Sequence, residues 1–278
     1  MEEAAARFPQ RKAYEDETCS MTFSEVRRLA ASIGTGIAAL ENPGRPVAVF
    51  MEKSVWMAVS LLGVSCGGCI YCPVDVAMPE ARMDRIFSVL EPAAVLTSGS
   101  MGARAREACG DCPVLLVEDL AARPADEALL ASLRARIKSS DPLYILFTSG
   151  STGMPKGVVG THQTVLNNLE WLASRFDLGP DDVLGNQAPL HFVVADHDLY
   201  CPLKFGCSSF FIPAGYFSFP AKLIPLLNQH RVTTVFWVPF ALGTIASLRA
   251  LDEILPEFLR YVFFVGEVMP VRQLNYWR

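Results

Sequence analysis

The residues most able to do chemistry lie near the middle of the chain. Thr148, Ser149, Gly150, Ser151, Thr152 and Gly153 place two glycines and four hydroxyls in a row with no bulky side chain, and Pro155, Lys156 and Gly157 follow. Glycines let successive backbone N–H groups curl into an anion-binding concavity, hydroxyls add donors, and a lysine supplies a mobile positive charge. The combination suits a polyphosphate. It is not the G-x-x-x-x-G-K-[ST] pattern, because Lys156 stands between Pro155 and Gly157.

Such a loop needs rigid elements on either side. Leu143 to Phe147 is an apolar run that reads as a buried strand, and Val158-Val159 restarts one after the loop. Upstream, helices are expected from Met21–Glu25 onward with Ser24 as N-cap, over Ser54 to about Cys66, over Glu80–Leu90 and over Ala125–Lys138. Strands are expected at Pro46–Met51, Cys69–Val74, Ala93–Leu96 and Val114–Val117. Downstream, Thr161 caps a helix running to about Phe176, and a loop from Val193 becomes helical near Asp196. Strands at Ser208–Ile212, Val232–Val238 and Tyr261–Val265 then alternate with helices at Phe219–Gln229 and Phe240–Leu251. Gly266-Glu267 turns the chain toward a final helix. Strands apolar on both faces, alternating with helices, predict an α/β fold of layered, mostly parallel sheets flanked by helices.

Of the 278 residues 51% are hydrophobic and 19% charged, so a sizeable core is available and disorder is not expected. With a net charge of -5 and no basic run, neither nucleic acid nor an anionic membrane is an expected partner. The charged N-terminus has no signal-peptide core, and the uncharged stretch Ser54–Val74 is broken by glycines and Pro73, so the chain reads as cytoplasmic. Cys66, Cys69 and Cys72, and again Cys109 and Cys112, have C-x2-C spacing. No histidine accompanies either group and the surroundings of the first are apolar, so the cysteines read as reduced core thiols and no metal site is predicted.

The run from Leu143 to His162, LYILFTSGSTGMPKGVVGTH, resembles the phosphate-loop signature of the adenylate-forming ligases, [Y/F]-T-S-G-S-T-G-x-P-K-G-V followed by a histidine. That superfamily includes nonribosomal-peptide adenylation domains, D-alanine–carrier-protein ligases, acyl-CoA synthetases and luciferases. MTFSEV is similar to its opening helix, and GGCIYCPVDVAMPEAR to a further element that fixes Asp75, Pro79 and Arg82. The resemblance covers nearly the whole chain, taken as one N-terminal AMP-binding domain over residues 1–278, incomplete at its C-terminus and without the C-terminal lid.

The resemblance implies ATP-dependent activation of a carboxylic or amino acid as an acyl-adenylate. The acyl group then passes to the phosphopantetheine thiol of a carrier protein, or to CoA in the acyl- or aryl-CoA ligase alternative. A truncated, non-catalytic homologue is the third reading. By the same resemblance Thr148 to Gly153 cradle the phosphates of ATP with Mg²⁺, Lys156 supports them, and Gly266-Glu267 meets the adenine edge. The acid is lined by Phe192, Val193, Val194, Asp196, His197, Trp237, Phe263 and Val265. The family's principal catalytic lysine, its ribose-binding aspartate and its Mg²⁺-assisting glutamate have no counterpart up to Arg278, so the 278 residues alone are expected to be inactive. Val193 stands where amino-acid-activating members carry an aspartate that pairs with the α-ammonium group; Asp196 is a candidate to replace it, and Asp198 is expected to lie outside the pocket.

Overall fold

The computed structural model describes every residue except Glu41 and Gly150 to Gly153. In chain order its strands are β1 (Lys12–Glu15), β2 (Ser20–Thr22), β3 (Pro46–Phe50), β4 (Ile70–Val74), β5 (Ala94–Thr97) and β6 (Val114–Leu116). They continue with β7 (Pro142–Thr148), β8 (Lys156–Thr161), β9 (Val183–Asn186), β10 (Ser208–Phe211), β11 (Thr234–Trp237) and β12 (Tyr261–Phe264). The chain divides into two compact units, Ser24–Glu170 and Met1–Phe23 with Trp171–Arg278, and each contains one six-stranded sheet.

In the unit Ser24–Glu170 the strand order is β6-β5-β3-β4-β7-β8, parallel except for the last pair. β4 and β5 are buried along their whole length and β3 at all but its first residue. This is why they read as unbroken apolar runs: helices cover both faces of a parallel sheet. The helix Val55–Cys66 is apolar all round, capped by Ser54, whose Oγ accepts the Met57 N–H at 3.2 Å. It packs tightly on the helix Phe23–Ala38, since a Cβ at Gly63 would lie 2.5 Å from Ile33 Cγ2. The return through Gly67 and Gly68 into β4 makes Ser54–Val74 a helix–turn–strand. Among the described residues no helix is long and apolar enough to cross a membrane.

In the other unit the order is β12-β11-β9-β10-β1-β2, again parallel except at one edge, where β1 pairs antiparallel with β2. Phe210, Ile212, Leu223, Leu227, Val235 and Trp237 lie in its largest described core, between the sheet and the helices Pro220–Gln229 and Pro239–Ser247. Gly206 ends the helix Asp196–Phe205 at φ 75° against the ring of Phe8, a left-handed turn that also leaves no room for a Cβ.

The fold class is as the sequence predicts, with differences at element ends. The first long helix begins at Phe23, so Ser24 lies in its first turn and is not the N-cap. The helix expected over Ala125–Lys138 is only Glu127–Arg134, started by Asp126, whose carboxylate accepts the Leu129 N–H at 2.9 Å. β6 stops at Leu116 and Val117 opens a short helix. The helix expected at Phe240–Leu251 ends at Ser247, because Arg249 takes a left-handed conformation at φ 53°. β1, β2 and β9 were not foreseen; each has four residues or fewer, too short for periodicity to register.

Candidate functional site

In the unit Ser24–Glu170 the phosphate-loop segment is a hairpin. β7 and β8 pair antiparallel, with Thr148 opposite Lys156, Phe147 opposite Gly157 and Tyr144 opposite Gly160. Thr148 Oγ1 also donates to the Lys156 carbonyl at 3.4 Å. Both feet of the loop are thus fixed on one ladder, and Thr148, Ser149 and Lys156 are exposed at its mouth. The predicted phosphate contacts Gly150, Ser151, Thr152 and Gly153 lie outside the described residues. Two glycines let the strands close. A Cβ at Gly160 would meet the Tyr144 ring at 2.0 Å, and one at Gly157 would meet Ile145 Cγ2 at 2.9 Å. Beyond β8, Thr161 caps the helix His162–Arg175 as expected, its Oγ1 accepting the Thr164 N–H at 3.2 Å. Burial depresses the His162 pKa, with Asp141 opposing the shift, so the imidazole is neutral near pH 7.

In the other unit the acid-contact candidates gather at the carboxyl ends of neighbouring strands, where ligands of open parallel sheets bind. Phe192 and Val193 are exposed, at 55% and 59%, and open a short 3-10 turn, Val193–Ala195, that leads into the helix Asp196–Phe205. Val194 is buried, while Asp196 and His197 are half-buried in the first turn of the helix. Asp198 is fully buried and accepts the Asn186 Nδ2–H at 2.7 Å, at the end of β9. Its carboxylate thus faces the end of the sheet at β9.

His197 anchors a column of rings. Its Nδ1–H donates to the Val194 carbonyl at 2.9 Å, which places the proton on Nδ1 of the neutral ring. Burial depresses its pKa, only partly opposed by that hydrogen bond. The imidazole stacks on Phe236 at 4.2 Å and 6°, and Phe236 stacks on Phe263 at 4.5 Å and 6°. The edge of Phe176 closes the column at 4.7 Å and 88°.

Trp237, the next residue of β11, turns to the opposite face. It is wholly buried, donates its indole N–H to the Gly185 carbonyl at 2.7 Å, and meets Phe217 edge-on. The structure therefore brings together His197 and Phe263 but sets Trp237 in the core, and Phe236 is the aromatic residue that joins them. Sequence reasoning missed Phe236. All four residues of β11 are buried, so the two-residue alternation that would assign faces is silent there. Val265 is half exposed, Gly266 turns the chain at φ 99°, and Glu267 is exposed. Glu267 lines an open cleft of about 470 Å³ with Phe240, Thr244, Leu248, Val268 and Gln273.

The cysteines separate into two kinds. Cys72 is in the core and Cys69 is buried with its thiol donating to the Asn42 carbonyl at 3.3 Å. Cys109 and Cys112, expected as core thiols, are instead only half-buried. Among the described residues no group of three or more His, Cys, Asp or Glu side chains could hold a metal ion.

Comparison with known proteins agrees with this fold. A family model described as "AMP-binding enzyme" matches residues 1–278. An L-proline--[L-prolyl-carrier protein] ligase of Pseudomonas fluorescens is 28% identical over 99% of the chain and 56% of its own length. Vanchrobactin synthetase VabF of Vibrio anguillarum is 29% identical over 95% of the chain and 9% of its own length. Among solved structures, the nonribosomal peptide synthetase FmoA3 in its alpha-methyl-L-serine-AMP bound form superposes with a TM-score of 0.86 at 26% identity, covering 98% of this chain and 30% of that one. The chain thus spans about half the length of the prolyl ligase and a small part of the synthetases.

Proposed function

The chain belongs to the AMP-binding enzyme family, and from that premise we propose that it is the N-terminal part of an ATP-dependent ligase that activates a carboxylic acid as its adenylate for a carrier-protein thiol. The carrying observation is the β7–β8 hairpin, which holds Thr148, Ser149 and Lys156 exposed at the mouth of a glycine- and hydroxyl-rich loop. Hydroxyls, backbone N–H groups and one ammonium are the donor set a triphosphate with Mg²⁺ takes. ATP supplies the electrophilic phosphorus. The acid's own carboxylate is the nucleophile, so the chain's task is positioning and charge neutralisation. Lys156 and Thr148 hold the phosphates in this reading, Gly266-Glu267 meets the adenine edge, and His162 is a positioning group rather than a base. The working compartment is the cytoplasm, where ATP is available.

The acid is assigned to the wall formed by Val193, Val194, Asp196, His197, Phe263 and Val265. Val193 in place of a carboxylate, beside a column of flat rings, favours an acid without an α-amine. This gives a CoA or aryl-acid ligase as the second reading. The test is acid-dependent exchange of labelled pyrophosphate into ATP by the protein that carries these residues, over a panel of aryl, hydroxy and α-amino acids. Lys156→Ala should lower exchange at least tenfold with every acid. Exchange undiminished by Lys156→Ala, or no exchange with any acid class, would overturn the reading.

A further inference from the structure

The half-exposed pair Cys109 and Cys112 has no part in the chemistry above. Cys109 is the last residue of the helix Gly102–Cys109, and Gly110 reverses the chain at φ 59° with open space around it. The Cys112 N–H donates back to the Cys109 carbonyl at 3.3 Å, the bond that closes a four-residue β-turn. Such a turn keeps its end Cα atoms within about 7 Å, a span that overlaps the roughly 4.4–6.8 Å a disulfide bridges.

The thiols themselves lean together. Cys109 Sγ donates to the Cys112 carbonyl at 3.4 Å and Cys112 Sγ to the Pro92 carbonyl at 3.3 Å, and each thiol shifts the titration of the other. The remaining cysteines are placed differently. Cys69, Cys72, Cys201 and Cys207 are buried, out of reach of a solute. Cys19 and Cys66 are half-buried. Neither belongs to a turn of this kind: the Cys69 N–H goes to the Val64 carbonyl and not to Cys66.

We propose that Cys109 and Cys112 are a dithiol site that a low-molecular-weight disulfide converts to an intramolecular disulfide. The minority thiolate of Cys109, whose pKa burial raises with Arg106 only partly opposing, attacks one sulfur of oxidised glutathione and expels a glutathione thiolate. The Cys112 thiolate then attacks Cys109 Sγ in the mixed disulfide and expels the second. Two electrons pass from the cysteine pair to the oxidant, and the two protons leave on the two glutathione thiols. Burial raises both thiols, and with the neighbouring thiol it pushes Cys112 up to about 11, so at neutral pH the pair rests as thiols and reacts with the oxidant through a small thiolate fraction.

The test is peptide mapping by mass spectrometry after incubating the native chain with oxidised glutathione, with free thiols blocked by N-ethylmaleimide. The expected product is one peptide cross-linked between Cys109 and Cys112, two hydrogens lighter, carrying no glutathione and restored by dithiothreitol. Cys112→Ser should instead retain glutathione on Cys109. The proposal is overturned if wild-type Cys109 keeps glutathione as a stable adduct, if both thiols remain alkylatable, or if Cys19 or Cys66 is oxidised while the pair is not.

Discussion

Gly160→Ala should loosen the phosphate-loop hairpin, and the structure sets the size of the effect. The new methyl group would lie 2.0 Å from Tyr144 Cζ, 2.2 Å from Cε2 and 2.5 Å from the hydroxyl. Carbon atoms prefer about 3.5–4.0 Å, so the ring must retreat by roughly 1.5 Å. Tyr144 is 3% exposed and its ring centroid lies 5.8 Å from that of Tyr71, which leaves little room to retreat. Overpacking of this kind costs about 1–3 kcal/mol. The alanine also restricts the unfolded chain, which returns about 0.4–1 kcal/mol. The net expectation, from the midpoints of the two ranges, is a loss of about 1.3 kcal/mol. Urea unfolding followed by far-ultraviolet circular dichroism measures it, with Gly99→Ala in the same unit as the control, since the nearest atom to its Cβ is 3.8 Å away. In a Tyr144→Ala background the same glycine substitution should cost close to nothing, because the overlapping atoms are gone. Unchanged stability in the single variant, or an equal loss in both backgrounds, would refute the steric argument.

Three further expectations follow. Trp237→Phe removes the indole N–H from the Gly185 carbonyl and leaves that buried acceptor unpaired, a loss of about 1–3 kcal/mol; its acid preference in pyrophosphate exchange should match the wild type, and an altered preference would place Trp237 at the acid after all. His162 and His197 both have pKa values depressed below 6.5 by burial, so just below that pH the unfolded chain binds more protons than the folded one. Stability from this source is complete above about pH 6.5 and falls as pH drops, at up to about 1.4 kcal/mol per pH unit for each group; a melting temperature that rises on acidification across this window would contradict it. Val193→Asp places a carboxylate at a 59% exposed position, where its desolvation cost is small. It should gain exchange with α-amino acids that the wild type lacks, and a wild-type preference for α-amino acids unaffected by Asp196→Ala would sink the assignment.

Much of the hairpin was legible because its chemistry is local. The strand, loop and strand are consecutive, and glycine, hydroxyl and lysine identities carry their own reasons. The helix start at Asp196 was legible too. What could not be read was which face of β11 joins the ring column of His197 and Phe263. Phe236 and Trp237 are both large, aromatic and buried, and only the contacts made by distant Val194, His197 and Gly185 distinguish them. β9 escaped for a related reason: VLGN is short and ends in a buried asparagine whose partner, Asp198, lies on another element. The half-burial of Cys109 and Cys112 depends on a turn set by Gly110, a matter of backbone angle that composition does not report.

The two-faced character of β11 also sets rules for redesign. If the acid meets this wall as proposed, a combinatorial library aimed at a new acid should vary Phe236 and Phe263, which are register partners and share one ring column. Trp237 should be held constant, since diversity there would be spent on unfolded clones.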